Sequence, residues 1–259
     1  LALKILWKTI SLKKFGWKEI KSLDLELIDM VLLIAGGFVV LGEVVSPLFS
    51  ISLVELFSKN ISADLSQSLK IFFGYLFMAF PPLLIVFYQI KSLNGVFSFK
   101  KDYFQFNFLS IKDAIIQGIN GWLTIVPFVL LVSLIMNSLI DNQNGSNPLL
   151  EIVLNNTNYL SFFLLLITTT LLAPLFEEII FRGILLPTLS RDFGIILGII
   201  VSSFIFALAH LSLAEMPPLF VLGIGLGITR IASGSLLSSV IMHSLWNGLT
   251  FLNLFLLRT

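Results

Sequence analysis

Cysteine is absent from the 259 residues, which excludes disulfides, thiolate metal sites and a cysteine nucleophile. Charge is scarce too, at 12% of residues where an ordinary soluble domain carries roughly 25%. The net charge of +1 leaves no basic excess for a nucleic-acid partner. Histidine occurs only twice, as His210 and His243. Position 1 is Leu rather than Met, so a trimmed leader fits and targeting is not read from the start of the chain. What is abundant is apolar: 57% of residues are hydrophobic, enough for several crossings at about 20 apolar residues each. Disorder and a soluble fold are both excluded, and the expectation is an all-α, polytopic transmembrane bundle.

Apolar runs of spanning length fall near 27 to 49, 69 to 90, 114 to 140, 159 to 188, 194 to 212, 217 to 232 and 236 to 257, predicting seven spans. The sixth is short, with Pro217 and Pro218 in what becomes its first turn, where proline is tolerated. Basic residues alternate between the two sides as a membrane topology requires. Lys4, Lys8, Lys13, Lys14, Lys18 and Lys21 precede the first span, and Lys91, Lys100, Lys101 and Lys112 follow the second. Arg191 and Arg230 mark the next two turns on that side. The opposite connections hold Lys59, Lys70 at a span edge, and Glu215. The expected topology puts the N-terminus inside and the C-terminus outside. One membrane domain is expected over 1–259. Residues 1–26 form either a basic segment lying on the membrane surface or a plain flank that sets topology, and Asp141 to Pro148 form the clearest loop.

An ionisable group in hydrocarbon costs several kcal/mol and needs a partner or a purpose. Such groups gather late in the chain: Glu177, Glu178 and Arg182 in the fourth span, His210 in the fifth, and His243 with Asn247 in the seventh. Glu178 and Arg182 are four apart and share a helix face, so they can pair. Glu177 points about 100° away and must find a hydrogen-bond donor or hold a proton, the condition of a general base. Phe206 with His210, and His243 with Asn247, likewise share faces. Counted from the turn near Gly194 at about 1.5 Å per residue, Glu177 and His210 both lie roughly 21 to 24 Å away. They are level across a hairpin.

These residues resemble the CAAX protease and bacteriocin-processing (CPBP, or Abi) family of intramembrane proteases. Glu177-Glu178-Ile179-Ile180-Phe181-Arg182 is similar to its EExxxR element, Phe206 to His210 to its FxxxH element, and His243 to Asn247 to its HxxxN element. The resemblance covers residues 160–257, the expected catalytic core. It implies hydrolysis of a peptide bond in a membrane-associated protein or peptide. Glu177 and His210 would activate a water, and His243 and Asn247 would stabilise the oxyanion. Glu178 and Arg182 would brace the base, and Phe206 would pack beside His210. A donor directed at the developing charge is worth a few kcal/mol in a dry pocket.

The cofactor stays open. Glu177, His210 and His243 could supply a three-ligand zinc site with water fourth, although the chain lacks the HExxH spacing of familiar zinc proteases, and glutamate-activated water without metal is preferred. Two other classes fit the chemistry: a membrane scaffold or partner-binding protein on the same fold, and a proton-coupled transporter using the buried acids. The expected partners are membrane lipid and a membrane-associated peptide, in a bacterial plasma membrane or an organelle membrane.

Overall fold

A computed structural model describes residues 17, 18, 20, 22, 25–57, 61–94, 104–106, 109–139 and 158–257. Most of the basic N-terminal segment, the 141–148 loop, and the side chains of Glu43 and Gln89 lie outside the described residues. Among the described residues seven helical stretches follow one another: α1 (27–55), α2 (Ala63–Asn94), α3 (Ile111–Leu139), α4 (Tyr159–Phe193), α5 (Ile195–Leu208), α6 (Met216–Ser233) and α7 (Leu236–Leu257). No strand occurs among the described residues. Each helix occupies one of the seven expected runs. Five regions, in α1, α2, α3, α4 and α6, are long and apolar enough to cross a membrane. The chain is a polytopic helical membrane protein.

The fifth run is shorter than its composition suggests. α5 has 14 residues, about 21 Å of helix against a hydrocarbon core of about 30 Å. Its last residue is Leu208, capped by Ala209, and Leu211 takes a left-handed backbone at φ 52°. His210 was expected inside this span. It instead follows the helix end, because the left-handed residue stops the helix before Pro217 and Pro218 begin the next one in its first turn.

Two compact units divide the chain. The first comprises 1–24, 99–145 and 177–246, and the second 25–98, 146–176 and 247–259. In the first unit Leu186, Ile195, Ile199 and Ile231 form a core onto which Trp17, Ile20 and Ile224 pack. The Lys18 amide donates to Ile231 O at 3.0 Å, so the described end of the basic segment is held by this unit. Gly223 of α6 lies against Ser203 of α5 so closely that a Cβ would sit 2.9 Å from the serine Cβ. Together with Gly227 against Ile199, this is the close helix packing expected of the small-residue spacing. On the outer side of α3, Leu123, Phe128, Leu131 and Leu134 are each more than half exposed, as lipid-facing residues should be.

In the second unit Leu165 and Phe251 are buried, and Phe162 lies 4.9 Å from the ring centroids of both Phe251 and Phe255. Ser161 bonds Ser68 through its hydroxyl and donates to Asp64 O at 3.0 Å. Asn158 caps α4, its Oδ1 accepting from the amides of Leu160 and Ser161, which satisfies donors that the first helical turn leaves open.

Local chemistry shapes α4 where the motif residues sit. The helix widens into π turns at Thr168–Leu172 and Ile179–Leu185, and each ends two residues before a proline, Pro174 and Pro187. The longer π stretch of α1, Leu32–Val45, stands in the same relation to Pro47. Proline lacks an N–H and its ring crowds the preceding turn, and a wider turn relieves both. Pro81, Pro82 and Pro127 lie in helices that remain α, so proline permits the widening without compelling it. Glu177 and Glu178 end the short α segment between the two π turns of α4.

Candidate active site

Glu178 is the centre of the buried polar cluster in the first unit. Its Oε1 accepts from Arg182 Nη1 at 3.0 Å and from His243 Nδ1 at 3.0 Å. The second Arg182 nitrogen, Nη2, donates to Gly223 O at 3.0 Å, which the close approach of Gly223 makes reachable. Glu178 and Arg182 are fully buried, and His243 is 2% exposed. The expected i,i+4 ion pair is therefore formed, in a setting where losing one partner would leave an uncompensated charge.

His243 links the two carboxylates. A carboxylate can only accept, so the contact with Glu178 keeps the proton on Nδ1. The other ring nitrogen, Nε2, lies 3.8 Å from Glu177 Oε2, and Glu177 is itself buried at 8% exposure. Glu178 and Arg182 were expected to brace Glu177; Glu178 bonds the imidazole that faces it, and the Arg182 charge also reaches Glu177. A helix turns about 100° per residue, so the two adjacent glutamates point different ways.

Phe206 organises the rings. It is fully buried, with His210 at 4.8 Å, His243 at 5.6 Å and Phe181 at 5.3 Å between centroids, all edge-on. The Arg182 guanidinium carbon lies 4.4 Å from its ring centroid, a cation–π distance. The ring therefore does more than pack beside His210. His210 Nδ1 lies 2.9 Å from Phe206 O; a carbonyl only accepts, so Nδ1 carries the proton and Nε2 keeps its lone pair. Unlike the other motif side chains of this unit, His210 is exposed.

Asn247 belongs to the second unit, where its Nδ2 donates to Thr169 O at 2.9 Å. That carbonyl is available for a local reason. In a π turn it would bond the nitrogen five residues on, which is Pro174 and has no hydrogen.

Arg230, expected to mark the inner interface, lies in the last turn of α6; it is fully buried, and its Nη2 donates to Gln105 Oε1 at 2.7 Å. The turn at Gly234, whose φ of 72° suits glycine, and the segment around Gln105 cover it. The available sequence signal was an arginine in an apolar span, the same signal that singled out Arg182.

As for the metal alternative, the donors do not converge on one. Among the described residues no group of three His, Asp or Glu side chains is arranged to hold an ion.

Comparison with known proteins finds a family model that this region resembles. Residues 159–249 match the model of the type II CAAX prenyl endopeptidase Rce1-like family, which is the CAAX protease group that the three motifs resemble. An uncharacterised 24.3 kDa protein of Escherichia coli is 40% identical over 88 residues, covering 31% of this chain and 39% of that protein. The chain thus spans well under half the length of that relative. No solved structure matches.

Proposed function

We propose that this membrane protein, whose residues 159–249 carry the Rce1-like CAAX endopeptidase region, hydrolyses a peptide bond of a membrane-associated protein or peptide. Glu177 and His210 activate a water. The water oxygen attacks the scissile carbonyl carbon, and its proton passes to the Glu177 carboxylate. His243, as the imidazolium with a proton on each ring nitrogen, donates Nε2–H to the oxyanion as it forms, and the Asn247 amide donates beside it. Collapse breaks the C–N bond, the leaving nitrogen takes the proton from Glu177, and the carboxylate is restored.

The observation that carries this reading is the Glu178–His243–Glu177 arrangement. One carboxylate, neutralised by Arg182, holds the proton on Nδ1 of the imidazole, and that imidazole turns Nε2 toward a second buried carboxylate. A structural ion pair needs only Glu178 and Arg182. The added imidazole and Glu177 supply a donor and a base in one dry pocket. Because the zinc donors are not gathered, no step is routed through a metal. The expected orientation, N-terminus inside, belongs to the same reading.

The test compares new protein N- and C-termini, by quantitative mass spectrometry of membranes, in cells carrying either the parent chain or its Glu177→Ala or His210→Ala variant. Termini that appear only with the parent, followed by cleavage of that substrate by purified protein, support the protease. Identical termini at equal protein abundance would favour a scaffold on the same fold. Proton or solute flux in sealed liposomes that Glu177→Gln abolishes would favour a transporter.

A further inference from the structure

Arg230 is the buried charge that the proposed hydrolysis does not use. Its guanidinium is fully buried, and five N–H bonds radiate from it. Nη2 is taken by the neutral amide oxygen of Gln105 at 2.7 Å, while Nε and Nη1 have no hydrogen-bond partner. Among the described residues no carboxylate lies at ion-pair distance from it. The carboxylate whose charge reaches it, Glu178, is already bonded by Arg182 and His243. A buried guanidinium in this state lacks what its fork is shaped for, a carboxylate accepting from two nitrogens at once.

The residue that fills part of this vacancy sits in a strained backbone. Gln105 is 3% exposed and takes the left-handed region at φ 53°, which non-glycine residues seldom adopt. Its carbonyl accepts from the Leu236 amide at 3.4 Å. Phe104 beside it rests on Gly183, where a Cβ would come within 3.0 Å of the ring, and Gly183 follows Arg182 directly. Arg230 lies seven residues beyond Gly223 on α6, about 10 Å along the helix from the carbonyl that receives Arg182. That separation is within reach of a short extended peptide.

We propose that Arg230 is a carboxylate-binding site for the peptide substrate, and that in the resting chain the Gln105 side chain occupies it as a neutral stand-in. A substrate carboxylate displaces the Gln105 amide and pairs with two guanidinium nitrogens, anchoring the peptide while its backbone runs toward Glu177. The carboxylate belongs either to the peptide C-terminus or to an acidic side chain. This inference rests on the peptidase reading for the identity of the ligand.

The test is binding, so that it stands apart from turnover. Purified full-length Glu177→Gln protein in detergent micelles is titrated with a fluorescent N-acylated apolar pentapeptide in three forms: free C-terminal acid, C-terminal amide, and C-terminal amide with one internal Glu. The site predicts at least tenfold tighter binding of one carboxylate form than of the plain amide, and which form it is identifies the source. Gln105→Ala should tighten that form further without changing the plain amide. Arg230→Gln should erase the preference. Gln105→Glu, which supplies a resident carboxylate and spares the fold, should erase it too without lowering the thermal transition. Equal binding of all three forms, no binding of any, or a preference that survives both Arg230→Gln and Gln105→Glu overturns the proposal. So does a preference removed by phosphatidylglycerol in the micelle, which would assign the site to a lipid headgroup. A carboxylate preference in a chain that cleaves nothing would instead sink the peptidase reading while leaving the site.

Discussion

Arg182→Met is the change whose consequence the geometry defines most sharply. The guanidinium neutralises Glu178 at 3.0 Å, donates to Gly223 O and lies 4.4 Å from the centroid of Phe206, all within a fully buried setting. Methionine fills much of the volume but takes the guanidinium from Glu178, leaving it the His243 imidazole and the Ser239 hydroxyl. Removing one member of a buried pair costs about 3–5 kcal/mol, or roughly two to four powers of ten in the folding equilibrium. The double variant Glu178→Gln with Arg182→Met leaves no uncompensated charge, and the glutamine oxygen can still accept from His243 Nδ1. It should recover at least about 2 kcal/mol, a coupling within the range seen for contacting residues. Reversible unfolding of the purified chain in mixed micelles, titrated with a denaturing detergent, measures both. A loss under about 1 kcal/mol for the single variant, or additive losses in the double, would refute the claim that Glu178 depends on Arg182 for its charge.

Gly198→Ala should destabilise by about 1–3 kcal/mol, because its Cβ would meet backbone atoms of Ser190 at 3.0 and 3.1 Å. Gly36→Ala, with nothing within 4 Å, should be neutral or stabilising by up to about 1 kcal/mol; the same unfolding assay reads both. Asn247→Ala should lower kcat by roughly 10²- to 10³-fold with little change in KM if the amide serves the oxyanion, whereas an unchanged kcat would reduce it to a tie to Thr169 O. Chelator dialysis should leave turnover unchanged, since among the described residues no three His, Asp or Glu side chains are arranged to hold an ion; activity lost on dialysis and restored by zinc would contradict that.

The helices were legible because bilayer thickness imposes a length on apolar runs, and all seven appear where hydropathy put them. Pairing of Glu178 with Arg182 was legible for a similar reason, since spacing on a helix fixes which side chains can meet. What spacing could not reveal is the partner across helices. Whether His243 answers to Glu177 or Glu178 depends on how two helices meet, which spacing within one helix does not state. The turns widened ahead of Pro174 and Pro187 were not legible either. Those prolines were visible, but their effect on the helix was not, because Pro81, Pro82 and Pro127 leave theirs α. His210 was misplaced by a few residues, since nothing in an apolar run announces the left-handed Leu211 that ends α5. The burial of Arg230 was not legible, because an arginine four residues before a turn looks the same whether or not another segment covers it.

The buried charges also constrain how the chain is made. α4 must enter the bilayer carrying Glu177, Glu178 and Arg182, and insertion scales charge about 2.5–3.5 kcal/mol for an acid or arginine at mid-helix, against a few tenths returned by each Leu, Ile or Phe. Pairing inside the helix lets Glu178 and Arg182 travel as one neutral unit, which leaves Glu177 as the outstanding cost. Its neighbour His243 is translated some 65 residues later, with α7. Until then α4 is held by its apolar flanks alone, so a ribosome-bound chain ending after α5 should be the form most readily recognised by membrane quality control, and His243 should end that vulnerability as it docks.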